Sequence, residues 1–430
     1  MLGAFANAFR TPDLRKKLLF VLFIVVIFRL GSQIPTPGVN VGNVQACFTT
    51  AKNSGGIYGL INLFSGGALL RLTIFALGIM PYITASIILQ LLVVVIPRLE
   101  TLKKEGQAGQ AKITQYTRYL TLALAILQAT GIAALARSGQ LLGNCPSPLL
   151  YDNGLRTMLI MVLTMTAGTA VIMWLGELIT DRGIGNGMSI LIFTQVVASF
   201  PASLWAVKVS QGWWVFGLII VIGLALVAAV IFMEQGQRRI PVQYARRMVG
   251  RKMFGGSSTY IPLKVNQAGV IPVIFASSLL YLPAMAAQFS GNAKWSGWIQ
   301  SYLVKGDHPL YMLLYVGLIV FFTYFYVAIT FNPEEVADNM KKYGGFIPGI
   351  RAGKPTEEYL SYVLSRITLP GAMYLGAISL VPLVAIALVN ANQNFPFGGT
   401  SILIMVGVAL DTVKQIESQL QQRNYEGFLR

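Results

Sequence analysis

The chain has 430 residues, of which 55% are hydrophobic and only 11% charged, about half the charged share of an ordinary globular protein. Lys and Arg number 33 against 16 Asp and Glu, giving a formal net charge of +17. This composition excludes a soluble globule and, because the apolar runs fill the whole length, leaves no room for a separate soluble domain.

In chain order, Leu2, Phe5, Ala6 and Phe9 recur at helical spacing, which suits either a membrane interface or packing against a bundle. Arg15, Lys16 and Lys17 precede the first apolar run, as in a secretory signal. Arg29 and the series Ile34, Pro35, Thr36, Pro37 then stand where a small-residue cleavage site would be needed, so an uncleaved span is expected. Candidate spans fall near 18–34, 72–96, 117–137, 155–176, 188–205, 213–233, 268–289, 309–331, 368–391 and 401–420. Residues 57–70 (IYGLINLFSGGALL) are apolar but too short to cross a hydrocarbon core of ~30 Å at ~1.5 Å per residue. Arg71 follows, and the charge-free run from Leu72 to Ile96 is long enough to span. A half-span abutting a full span suggests a re-entrant element, which is tolerated only inside protein or along a watery pathway.

Charge orients the chain. The N-terminus, the loops 97–118, 177–187, 234–264 and 332–366, and the C-terminal tail hold most of the Lys and Arg. The positive-inside rule places these segments, with both termini, in the cytoplasm. Attraction to anionic lipids follows from the same asymmetry.

Catalytic residue types are scarce, and neither a cofactor nor a metal site is expected. The one histidine, His308, precedes Pro309 in an outward loop, which rules out two-histidine zinc motifs. Gly353-Lys354 lacks the first glycine of a phosphate loop and carries Pro355 where Ser or Thr belongs. Gly183, Gly185 and Gly187 join two spans rather than a strand and a helix, so a tight turn is expected. Energy for any transport must then come from a partner. Cys47 and Cys145 both fall in outward loops, where oxidation is permitted; they form one disulfide or remain two unrelated thiols.

Gln90, Gln128 and Asn266 interrupt otherwise apolar stretches on or beside the second, third and seventh spans. They read either as a hydrogen-bonded seam between separable helices or as ordinary interhelical contacts worth ~0.6 kcal/mol each. The loop 234–264 carries Arg238, Arg239, Arg246, Arg247, Arg251, Lys252 and Lys264 against a single Glu234. The loop 332–366 sets Phe346, Ile347, Pro348, Gly349 and Ile350 just ahead of Arg351. Arginines beside an apolar tip suit docking to a phosphate backbone or an acidic protein face.

Eight longer strings carry a resemblance. They are INLFSGGAL from Ile61, GIMPYITASIILQLL from Gly78, KKEGQAGQAKITQYTRY from Lys103 and WLGELITDRGIGNGMSI from Trp174, then GQRRIPVQYARR from Gly236, PLKVNQAGVIPVIFASS from Pro262, FNPEEVADNMKKYGGFIPGIRAGKPT from Phe331 and FGGTSILI from Phe397. In this order, over essentially the whole chain, they resemble the SecY family, the central subunits of protein-conducting channels. The resemblance implies an all-α membrane protein of about ten transmembrane helices, in two pseudo-symmetric halves (residues 1–205 and 206–430) that open like a clamshell about a hinge near Val207 to Gly212. It implies a re-entrant plug at Ile57 to Leu70, with Asn62, Phe64, Ser65, Gly66 and Gly67 at its centre. An aliphatic pore ring would comprise Ile79, Ile83, Met188, Ile192, Ile274 and Ile404, Met188 standing where a β-branched residue is expected. A lateral gate would lie between the second and seventh spans, with Gln90, Gln128 and Asn266 at its seam. Arg239, Arg251, Lys252 and Arg351 match a docking surface shared by the ribosome and the SecA ATPase.

Implied partners are SecE and SecG, signal peptides and unfolded preproteins, and the implied location is the bacterial cytoplasmic membrane. Two other functions fit parts of the residue pattern. A secondary transporter of a small solute would need a midplane coupling site, yet the spans hold Glu177 only at an edge and Arg29 in the first. A membrane scaffold for ribosomes explains the basic loops but gives the half-span no task.

Overall fold

The computed structural model describes residues 9, 11–51, 67–69, 71–137, 139, 148–152, 154–244, 247–249, 252–254, 258–289, 294–299, 302–303, 308–389 and 399–428. Helices dominate: α1 (Pro12–Gly31), α2 (Val41–Ala51), α3 (Met80–Val95), α4 (Pro97–Lys104), α5 (Gln107–Arg137), α6 (Leu155–Arg182), α7 (Gly187–Gln235), α8 (Ile271–Phe289), α9 (Lys294–Ile299), α10 (Pro309–Thr330), α11 (Pro333–Lys342), α12 (Lys354–Val389) and α13 (Gly399–Phe428). Each predicted span has a helix at its place. Among the described residues, five helical segments are long and apolar enough to cross a membrane alone, or six if the bent pair α3 and α4 is taken as one.

Local chemistry sets several boundaries. Pro sits in the first turn of α1, α3, α4, α10 and α11, where its missing N–H is not needed. His308 is a helix cap: its Nδ1 accepts the Leu310 N–H at 3.2 Å at the start of α10. The glycines at 183–187 form the expected turn, closed by Asn186 accepting from the Met188 N–H at 3.1 Å.

The 49 residues of α7 would measure ~73 Å if straight. Asn186 and Glu234, at its two ends, line the same cavity, so the chain reverses between them. The break is Gly212, at φ +84° and ψ −179°, a conformation closed to side-chain-bearing residues. Two spans result, joined inside the predicted hinge segment.

The span expected over 72–96 is helical only from Met80. Residues 71–79 form turns, and Leu72 adopts φ +48°. Their polar groups are met by the extended segment after α1: Ile74 N–H donates to the Ile34 carbonyl at 3.0 Å, and Pro35 bridges Thr73. Irregular backbone is sustained here because protein supplies its hydrogen bonds. At the other end α3 turns by 99° into α4.

The basic loops are not plain loops. β1 (Gln237–Tyr244) pairs antiparallel with β4 (Ser258–Lys264) and with β5 (Gly345–Phe346), in the order β4-β1-β5, while β2 (Arg247–Val249) pairs with β3 (Lys252–Phe254). Ile240 and Val242 alternate inward and pack with Leu263, Met340, Ile347, Leu360 and Val363. The all-α membrane body thus carries a small sheet, not foreseen in the sequence, that makes its basic face a folded lobe. α12, at ~54 Å, extends past a ~30 Å hydrocarbon layer to reach it.

Candidate functional site

Three apolar clusters organise the membrane body. One lies within residues 39–165 and a second draws its fully buried members from 219–410. The third joins them and contains every predicted pore-ring residue: Ile79, Ile192, Ile274 and Ile404 are buried, with Ile83 and Met188 half-buried against them. Sequence spacing explains how four elements converge. Ile79 and Ile83 are one turn apart at the head of α3, as are Met188 and Ile192 at the head of α7, while Ile274 lies in the first turn of α8 and Ile404 early in α13. Phe28 stacks on Phe75 beside them at 5.8 Å. The ring is packed as a core, without a hydrogen-bonding group.

Two cavities, about 500 and 430 Å³, meet this ring on the side of the basic loops. Both are lined by Asn186, Ser189, Ile192, Ile271 and Ile274. The smaller also takes in Arg118 and Glu177, an ion pair at 2.8 Å. The larger takes in Glu234, Asn266, Lys264 and Asp411, the last two 3.8 Å apart. The geometry is a polar vestibule with an apolar floor.

The gate residues are distributed differently from a three-way seam. Gln90 is exposed and lines the smaller cavity, Gln128 is half-buried on α5, and Asn266 is buried at 3% exposure beside the larger cavity. Asn266 Nδ2 donates to Glu234 at 2.5 Å and to the Gly269 carbonyl at 3.2 Å, and its Oδ1 has no protein partner. It is therefore bonded to the end of α7 and to the segment leading into α8 rather than to either glutamine. The contact of α3 with α8 is narrow and apolar: Ile87 packs into the cluster of Phe275 and Ile271.

Asn62, Phe64, Ser65 and Gly66 lie outside the described residues. Gly67 begins a turn at φ +89° leading to buried Ala68 and Leu69, so the far end of the half-span is packed into the first cluster's surroundings. Cys47 is buried and disulfide-bonded; the one other cysteine, Cys145, lies outside the described residues.

Of the basic residues, Arg239 stands exposed on β1 with its guanidinium 5.6 Å from the Tyr260 ring. Lys252 belongs to β3, and Arg251 lies outside the described residues. Arg351 is exposed, its backbone held where its carbonyl accepts from the Thr356 hydroxyl at 2.8 Å. The apolar tip ahead of it is partly core: Ile347 is buried in the lobe while Phe346 remains exposed. Sequence reading missed Glu234 as a partner for Asn266; a single acid in a basic loop, at the end of a span, was the available signal.

A family model described as SecY matches residues 73–413. Protein translocase subunit SecY of Streptomyces galbus is 69% identical over 437 residues, covering 100% of both chains. The subunit of the same name from Mycobacterium tuberculosis is 60% identical over 441 residues, again covering 100% of both. Among solved structures, a protein conducting channel superposes with a TM-score of 0.60 at 18% identity, covering 94% of this chain and 91% of that one. Sec61 in the canine ribosome–channel complex from the endoplasmic reticulum gives 0.57 at 17% identity, with the same coverage.

Proposed function

This chain belongs to the SecY family, and from that premise we propose that it is the channel subunit through which unfolded polypeptides cross a membrane or leave sideways into lipid. The observation that carries the reading is the convergence of six aliphatic side chains, from both halves, on one ring beneath a polar vestibule. An apolar ring sheds water when empty and so resists ion leakage. It offers no specific hydrogen bond, so a passing chain is accepted whatever its sequence.

Residues 1–205 and 206–430 act as two halves turning about Gly212. The buried members of the first two clusters support this by falling on opposite sides of the division, with Ile87, Phe200 and Leu204 packing across it against the second. Lateral release proceeds between α3 and α8, where a narrow apolar contact is exchanged for burial of a signal peptide at ~25 cal/mol/Å². The half-span 57–70 seals the outer side of the ring. Cys47 pairs with Cys145, tying the segment after α1 to the one after α5.

The chain is not an enzyme; a partner supplies the energy. SecA and the ribosome compete for the lobe bearing Arg239, Arg251, Lys252 and Arg351, and SecE and SecG complete the assembly. The location is the bacterial cytoplasmic membrane, with both termini and the lobe on the cytoplasmic side, in contact with anionic lipids. The test is reconstitution of this chain with its partner subunits in proteoliposomes, with SecA, ATP and a preprotein. Protease-protected preprotein inside the vesicles is the expected result. Small-solute uptake without polypeptide import would replace the channel by a transporter.

A further inference from the structure

The α8 helix begins from a root that is held on three sides. Lys264 reaches Asp411 of α13 at 3.8 Å. Val265 N–H donates to the Gly236 carbonyl at 3.0 Å, and Asn266 donates to Glu234 at 2.5 Å, both at the end of α7. On α12, Gly371 leaves room for the Val265 carbonyl, which a Cβ there would approach to 2.5 Å. Gly269, three residues after Asn266, stands at φ +60° with open space where a side chain would be. Backbone conformation, not crowding, calls for glycine at this point. Ile271 starts α8 two residues later, and Ile274 of the ring and Phe275 of the gate contact follow within its first turn and a half.

We propose that Glu234 is a positioning residue for the lateral gate: through Asn266 it clamps the root of α8 to the sixth span, so that the gate swivels at Gly269 and carries Ile274 out of the ring as it opens. The inference rests on the gate lying between α3 and α8, as set out above. A carboxylate suits the task because a hydrogen bond to a charged acceptor is stronger than one to a neutral acceptor. The bond also joins segments 32 positions apart that the helices alone would not hold together. Losing it frees the root, and the gate no longer needs a signal peptide to part.

The experiment uses the complete channel complex in nanodiscs, with cysteines replacing Ile87 and Phe275 and a short bismaleimide to join them. Crosslinking is measured with and without a synthetic signal peptide of basic N-terminus and apolar core. In the parent the peptide should lower crosslinking. Glu234→Leu should lower it about tenfold without peptide, and Glu234→Gln, which keeps a weaker neutral acceptor, should fall clearly between Glu234→Leu and the parent. In the Glu234→Leu background, Asn266→Leu should change the gate by less than it does in the parent, because only its bond to the Gly269 carbonyl is left to lose. Gly269→Ala, which penalises the closed conformation at positive φ, should shift the gate the same way by about fivefold. A Glu234→Leu gate as closed as the parent, or a Glu234→Gln gate as open as Glu234→Leu, overturns the clamp. An unaltered Gly269→Ala gate overturns the swivel. A parent insensitive to the peptide overturns the gate reading itself, and the clamp with it.

Discussion

Thr36 donates both its backbone N–H, at 2.9 Å, and its hydroxyl, at 2.7 Å, to the single carbonyl of Leu72. Both residues are buried, and Leu72 is the one described residue other than glycine with positive φ. This double bond holds the turn at which the chain leaves the half-span and heads for the ring residue Ile79. Thr36→Val keeps the shape and removes one of the two donors. It should destabilise the fold by about 1 kcal/mol, read as a lower midpoint of thermal unfolding in detergent. An unchanged midpoint would mean the hydroxyl bond is dispensable.

The ring makes a second prediction. Ile404 is 2% exposed and meets Ile192 and Ile274 in the joining cluster. Ile404→Asn places a hydrated amide where water is shed, at a loss of roughly 2–3 kcal/mol of apolar burial. Resting ion conductance across planar bilayers should rise at least about tenfold, because each ~1.4 kcal/mol is a factor of ten. Equal conductance of the variant and the parent would move the barrier elsewhere.

Deleting Asn62 to Ala68 should also raise resting conductance while leaving translocation measurable, because the ring still conforms to the chain. A closed state as tight as the parent's would show that the half-span is not the outer seal.

Arg351 is exposed, just after Ile347 and Ile350 of the lobe's apolar cluster. Arg351→Glu should reduce SecA-dependent or ribosome-dependent import about tenfold, with assembly into the complex and thermal stability unaltered. Normal import by a correctly assembled variant would remove Arg351 from the docking surface.

Much of this was legible in the sequence, and the exceptions have physical causes. The six residues that meet in the joining cluster, and the hinge segment in which Gly212 breaks the chain, came from the resemblance carried by local strings, not from spacing or hydropathy. The run 72–96 read as one helix because hydropathy reports transfer into lipid, not backbone path. The turns there are held by bonds between residues far apart in the chain, Thr36 to Leu72 and Ile74 to Ile34. The sheet was hidden for the same reason. Proline is disfavoured within strands, yet Pro241 and Pro262 lie in β1 and β4, and the pairing of Ile240 with Ile261 brings together residues on either side of a basic tip. The bond from Asn266 to Glu234 was out of reach as well, since the sequence suggested partners for Asn266 on other spans.

The most direct test of the channel is photocrosslinking of a stalled secretory chain from a photoreactive residue at Ile83 or at Ile274, which lie on α3 and α8 and meet at the ring. Crosslinks from both positions, present only when the chain carries a functional signal sequence, are the predicted result. An engaged complex that yields none from either position would place the polypeptide path outside the ring and contradict the account.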